Sequence, residues 1–237
     1  MVTFLVTSEI WIGQIKMNLS SIFYCFLLMT YQQLLTGLLT AKYEKCFVPL
    51  CWITRLQLMS LKKSMLELHR VGVEEYKKVV KLPVTIVLDN VRSEMNVGSV
   101  FRTADAFLIE RIVLCGITPQ PPKAEIHKTA LGAEESVLWN YYSTTAEAVD
   151  QLKRDGYMIV SVEQVHDSTS LDQFVVSRGQ KVAIVMGNEV KGVSQEVVDA
   201  SDQCVEIPQH GTKHSLNISC CAAIVMWHVY QSIYINV

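Results

Sequence analysis

The sequence has no Cys-x-x-Cys pair, and its seven cysteines show no cysteine–histidine ligand spacing. A zinc finger and a disulfide framework are thereby excluded, and the thiols suit a reducing compartment, so a cytoplasmic protein is expected. Two phosphate-binding signatures are missing as well, Gly-x-Gly-x-x-Gly and Gly-x-x-x-x-Gly-Lys-Ser/Thr. Dinucleotide and triphosphate sites of the usual kind are therefore not expected. Nor is there a surplus of basic charge. The formal net charge is −2 over 237 residues and −4 over residues 59–237, so any contact with nucleic acid must rest on a local patch. No internal repeat, low-complexity tract or signal-peptide cleavage pattern stands out.

The first 58 residues are poor in charge of either sign. They hold six charged residues, none of them between Lys16 and Lys42. The uncharged stretch 19–41 is long enough to cross a bilayer, yet Ser20, Ser21, Thr30, Gln32, Gln33, Thr36 and Thr40 interrupt it. Three readings stay open: an upstream extension outside the functional protein, a membrane anchor, and a packed helical extension. From Met59 the charge, turn and strand patterns become those of a soluble domain. The expected division is an atypical apolar extension over 1–58, dispensable for function, and one domain over 59–237. A membrane partner is expected only if 19–41 is an anchor.

What is present is an alternation of strands and helices. Met65–Val80 reads as an amphipathic helix interrupted near Gly72, and Val84–Leu88 as a buried β-branched strand. A polar loop follows, from which Asn96 caps a helix over Val97–Phe107 with Arg102 off its apolar stripe. Further strands are expected at Arg111–Cys115, Ser136–Tyr142, Tyr157–Val162, Val182–Met186 and Cys204–Ile207. Helices are expected at Glu125–Leu131 and Thr145–Asp155, and from Leu216 to about Tyr230 with Ser215 as its cap and Cys220-Cys221 in its core. This order predicts an α/β fold with a mostly parallel sheet covered by helices on both faces.

The polar cargo of the last third is small: Asn188 and Glu189 between Gly187 and Gly192, then Ser215 and Asn217 beyond Ile207-Pro208 and Gly211. Loops released at strand C-termini are where open α/β sheets bind small ligands. Each motif alone has a plainer reading, as a capped helix with a surface arginine, a solvated carboxylate, and an ordinary helix cap. His210 and His214 lack further ligands at metal spacing, so no metal is expected.

The order of the motifs is more specific than any one of them. Asn96-x-Gly98-x-x-x-Arg102-Thr-Ala, Gly187-Asn-Glu189-x-x-Gly192 and Ile207-Pro208-x-x-Gly211-x-x-x-Ser215-Leu-Asn217 together resemble the three motifs of the SpoU/TrmH family. These are RNA 2′-O-ribose methyltransferases of the SPOUT class. The resemblance covers about residues 83–232 and takes in Ile126-His-Lys-Thr-Ala-Leu-Gly132. It implies a C-terminal trefoil knot, S-adenosylmethionine as cofactor with no metal needed, a homodimer whose site draws on both subunits, and RNA as substrate; either tRNA or rRNA fits, tRNA slightly preferred because a compact dimer can grip an exposed loop. It also implies catalytic roles for Arg102, Asn96, Glu189, Ser215 and Asn217. The cofactor would lie among Val162, Glu163, Gly187, Asn188, Glu189, Gly192, Ile207, Pro208, Gly211, Ser215, Leu216 and Asn217. Three alternatives compete: a SPOUT enzyme methylating a base nitrogen, a knotted RNA-binding module without activity, and a membrane-tethered protein.

Overall fold

A run such as Val182-Ala-Ile-Val-Met186 has no polar face to offer water, so it is stable only in the middle of a sheet covered on both sides. In the computed structural model, which describes residues 9–12, 15–18, 62–64, 67–68 and 71–235, all five of its side chains are buried. The chain divides into two units, Met1–Leu68 and His69–Val237. In the first, strands β1 (Glu9–Ile12) and β2 (Ile15–Asn18) form an antiparallel hairpin. The stretch 19–41 weighed above as an anchor lies outside the described residues. Among the described residues no helix is long and apolar enough to cross a membrane.

The second unit holds a seven-stranded sheet. Its strands are β3 (Leu82–Asp89), β4 (Ile109–Cys115), β5 (Leu138–Tyr142), β6 (Met158–Val162), β7 (Thr169–Ser170), β8 (Val182–Met186) and β9 (Gln203–Glu206). They lie in the order β5-β4-β3-β8-β6-β9-β7, and every pairing in this sheet is parallel. Side chains alternate between the faces. On one face Ile86, Leu88 and Ile184 pack with helices α2 (Glu94–Ala106) and α7 (Ile218–Tyr230) through Phe101, Ala104, Val225 and Met226. On the other, Val87, Val113 and Val185 pack with α5 (Thr145–Arg154) and α6 (Gln195–Ala200) through Val149, Leu152 and Val197. Helices α1 (Val73–Lys78), α3 (Ala124–Ala130) and α4 (Ala133–Ser136) complete the unit.

Register places the site. Leu88 stands opposite Met186, and Met186 opposite Val162, so β3, β8 and β6 end level with one another. The chain leaving each strand therefore emerges at one edge. Beneath that edge the buried Asp89 accepts hydrogen bonds from Thr145 Oγ1 at 2.5 Å, Asn90 Nδ2 at 2.8 Å and the Ser194 amide at 3.0 Å. It thereby ties the end of β3 to the starts of α5 and α6.

Several boundaries differ from expectation. Helix α2 begins earlier, because Ser93 caps it by accepting from the Asn96 amide at 3.3 Å. Asn96 thus lies inside the first turn, and its side chain is free for other partners. Asn217, not Ser215, caps α7, by accepting from the Ser219 amide at 2.9 Å. Cys220 is exposed on that helix, while Cys221 is half-buried. The helix expected from Met65 begins only at Val73, with Gly72 extended before it; residues 65–66 and 69–70 lie outside the described residues. Ala133–Ser136 is helical where a strand was expected to begin, and the sequence reading missed α6 and β7.

Gly98 is required by packing. A Cβ there would overlap the Ile126 carbonyl oxygen and Thr129 Oγ1, where α2 and α3 meet. Gly98→Ala is expected to destabilise the domain by about 1–3 kcal/mol, the usual cost of overpacking, read as a lower midpoint in urea unfolding.

Candidate active site

Three segments that are remote in sequence form one cleft of about 490 Å³ at the level strand ends. Val162 and Glu163 come from the end of β6, and Gly187, Asn188, Glu189 and Gly192 from the loop after β8. Ile207, Ser215, Leu216 and Asn217 come from the segment between β9 and α7. Pro208 and Gly211 belong to that last segment but do not line the wall. Pro208 is exposed, and a Cβ on Gly211 would meet nothing within 4 Å. The wall also includes Gln164, Met186, Glu206, Gln209 and His214, together with Ile218 and Cys221 from the start of α7. Only their adjacency to the motifs could have flagged these residues in the sequence.

The loop after β8 is shaped by two glycines and an asparagine. Asn188 and Gly192 exchange two backbone hydrogen bonds of 2.9 Å, closing the loop at its neck. Asn188 Oδ1 accepts from the amides of Val190 and Lys191, and its Nδ2 donates to the Asn90 carbonyl at 2.6 Å. A Cβ on Gly187 would overlap the backbone of Gly192 and Val193 across the neck. Gly192 has φ +68°, a left-handed conformation that favours glycine, and a Cβ there would strike the Glu163 carboxylate. That carboxylate accepts from the Val193 amide at 2.8 Å and the Gln164 amide at 3.0 Å. Gln164 Nε2 donates in turn to the His214 carbonyl at 3.1 Å, which holds the segment after β9 against the other two.

A polar chain joins the three motifs. Glu189 accepts from the amides of Arg92 at 3.0 Å and Ser93 at 3.1 Å, and from Asn96 Nδ2 at 3.1 Å. Asn96 Oδ1 accepts from Asn217 Nδ2 at 3.2 Å, and Asn217 Oδ1 holds Ser219. Partial burial opposes the charged form of Glu189. The amides of Arg92, Glu189 itself and Ser93, with the Asn96 side chain, outweigh it and lower the carboxyl below its ordinary 4.5. The negative charge lies at the amino end of α2, where the helix dipole favours it. Its carboxylate is thus engaged in joining the motifs.

Arg102 lies apart from this chain. It is exposed on α2, outside the cleft wall, and no carboxylate of the described residues forms an ion pair with it. Cys221 closes the cleft floor as a neutral thiol, pushed up to about 11 by burial and by the negative charge of Glu163.

The family model described as SpoU rRNA Methylase matches residues 83–227. The chain belongs to this family. SpoU relatives include the tRNA (guanosine(18)-2′-O)-methyltransferase of Borreliella burgdorferi, 32% identical over 149 residues, covering 60% of this chain and 64% of that protein. The SpoU-family fold recurs in the A. aeolicus TrmH/SpoU tRNA modifying enzyme, with TM-score 0.61, 23% identity, and coverage of 68% of this chain and 80% of that one. It recurs also in the AdoMet-bound rRNA methyltransferase from Sinorhizobium meliloti, with TM-score 0.58, 24% identity, and coverage of 66% and 59%. The chain spans less than two thirds of the length of the curated relatives it matches.

The lowered Glu189 carboxyl sets an expectation for stability. A group depressed on folding contributes fully above its ordinary value of 4.5, and the contribution is lost as pH falls through the lowered folded value. Glu189→Gln should therefore be less stable than wild type at neutral pH, with the gap closing on the acid side. Urea unfolding of both proteins across that range measures it.

Proposed function

We propose that this chain methylates a ribose 2′-hydroxyl of RNA with S-adenosylmethionine as donor. The observation that carries the reading is the chain Glu189–Asn96–Asn217, which joins the three SpoU motifs at the lip of the cleft. The cleft has the volume of a small-molecule site. Its walls suit this cofactor: apolar side chains from Met186, Ile207, Leu216 and Ile218 for a flat base, and carboxylates from Glu163 and Glu206 for a cationic sulfonium. The cofactor, when bound, supplies an electrophilic methyl group; the protein's own task is to align the ribose and assist loss of its proton. With the cofactor held in the cleft, the 2′-oxygen would gain the methyl carbon at the expense of the sulfur–methyl bond, leaving S-adenosylhomocysteine, and the hydroxyl proton would depart to a phosphate oxygen or water.

Arg102 is assigned the positioning of an RNA phosphate. Its guanidinium stays charged at any working pH and so makes a poor base, but its planar fork suits two-point contact with a phosphate. Cys221 stays protonated and therefore does not compete for the electrophilic methyl group.

A homodimer belongs to the same reading, and the position of Arg102 supports it. It stands outside the cleft wall of its own chain, and α2 and α7 leave large apolar side chains exposed, Met95 on the first and Ile224 and Trp227 on the second. A second copy covering these side chains is the partner proposed to share the site. A trefoil knot in the segment from β8 to α7 belongs to the same reading, supported by family membership and by the hydrogen bond from Gln164 Nε2 to the His214 carbonyl. For the substrate we favour tRNA, on the likeness to the Borreliella burgdorferi enzyme.

The test is transfer of labelled methyl groups to separated tRNA and rRNA, followed by mass spectrometry of the nucleosides. A 2′-O-methylnucleoside in the tRNA fraction is expected. A methylated base would move the reading to base-nitrogen chemistry, and no transfer with intact cofactor binding would leave a binding module.

A further inference from the structure

The turn between α3 and α4 carries a second group of side chains, separate from the cleft. His127 Nδ1 lies 2.5 Å from Glu134 Oε1, with the His127 side chain 66% exposed and that of Glu134 only 8% exposed. Among the described residues the other oxygen of that carboxylate, Oε2, is buried and has no hydrogen-bond partner. A carboxylate held dry with one oxygen unsatisfied is costly, and a bound cation is one of few groups that can compensate it. Glu135 follows on the same helix. One ligand atom from each of His127, Glu134 and Glu135 lies within 4.8 Å of the others.

We propose that His127, Glu134 and Glu135 form a binding site for a divalent cation of the manganese or zinc class. One imidazole and two carboxylates are the donor set that such ions accept, and no soft thiolate is involved. The ion takes the place of the hydrogen bond between His127 Nδ1 and Glu134 Oε1. Three protein ligands leave further coordination positions for water, because His127 and Glu135 face solvent. The chain geometry favours the juxtaposition: Leu131 and Gly132 both adopt left-handed backbone, at φ 54° and 89°, and reverse the chain so that α4 returns its first turn to His127. The seven-residue spacing from His127 to Glu134 matches no helical ligand pair, so the cluster arises only through this reversal.

The site's place in the fold gives it a structural consequence. Helix α3 packs on α2 at Gly98, and Ser136 Oγ donates to Asp105 on α2 at 2.8 Å. Gly98, Arg102 and Asp105 share one side of α2 by their spacing. A cation at the α3–α4 turn thus braces the packing along the side of α2 that carries Arg102. The proposal is independent of the methyl-transfer reading, since it concerns the metal ion alone.

The test is titration of the metal-stripped full chain with Mn²⁺, with free ion counted by electron paramagnetic resonance. Manganese binds thiols weakly, so the cysteines do not confuse the count. One saturable site per chain is expected, weakened at least about tenfold in His127→Ala, Glu134→Gln and Glu135→Gln. Circular dichroism checks each fold, and Glu135 is exposed, so its replacement leaves the core intact. Wild-type protein should also gain thermal stability with Mn²⁺, and Glu135→Gln should not. Absence of a saturable site in the wild-type chain overturns the proposal. So does unchanged affinity in either His127→Ala or Glu135→Gln, which would leave Glu134 as the ion-pair partner of His127 alone.

Discussion

Replacing Arg102 by alanine should abolish methyl transfer and leave cofactor affinity nearly unchanged. Arg102 is exposed, forms no ion pair with the described residues, and lies off the cleft wall, so its removal disturbs neither the core nor the pocket. On the proposed function, what it removes is alignment of the ribose, and loss of one preorganised donor in a transition state costs about 10²- to 10³-fold in rate. Single-turnover methylation at saturating cofactor and RNA reads that loss, and calorimetric titration with S-adenosylhomocysteine reads the affinity. Arg102→Lys should also be poor, since an ammonium keeps the charge without the planar two-point contact. A lysine variant at full rate would rule out the two-point role, and an active alanine variant would remove Arg102 from the mechanism. If the site is shared between subunits, mixing Arg102→Ala with a chain disabled in its cleft should restore part of the activity.

Gly187→Ala should have the opposite signature, with cofactor binding lost first. Its φ is not left-handed, so the effect is steric alone: the added methyl group would overlap the backbone of Gly192 and Val193, which cannot rotate aside as a side chain can. The neck of the loop must open, displacing Asn188 from the Asn90 carbonyl and Glu189 from the start of α2. Affinity for S-adenosylhomocysteine should fall at least about tenfold, or ~1.4 kcal/mol, with a lower unfolding midpoint. Gly211→Ala is the control, because nothing stands near a Cβ at that position and binding should stay at the wild-type level. Equal affinity in Gly187→Ala would move the cofactor away from this loop.

The buried strands and the motif segments were legible in the sequence because both leave local signatures. Val182–Met186 announces itself by apolar content, and the polar residues after it stand out against that background. The helix caps were not legible at single-residue precision. Ser93 and Asn96 are both good caps, as are Ser215 and Asn217, and the choice between them is made by partners far along the chain. Asn96 is drawn into the helix because Glu189 and Asn217 occupy its side chain. The role of Glu189 was partly hidden for the same reason: a loop carboxylate read locally looks solvated, and its partners at Arg92 and Ser93 lie 97 and 96 residues away. The short helix α6 and the two-residue strand β7 were missed because neither is long enough to show a period.

The hydrogen bond between Asn96 and Asn217 spans 121 residues of sequence. Before it can form, β3 must find β8 across nearly as long a stretch, and that search costs chain entropy while few native contacts yet repay it. Folding of this domain is therefore expected to be governed by distant pairings, with the cleft among the last features to mature. A chain that has collapsed and acquired most of its helices still lacks the cleft, because each of its three walls waits for the same closure. Competence for the proposed reaction is in this sense expected to be a late event, separated in time from the burial of the core.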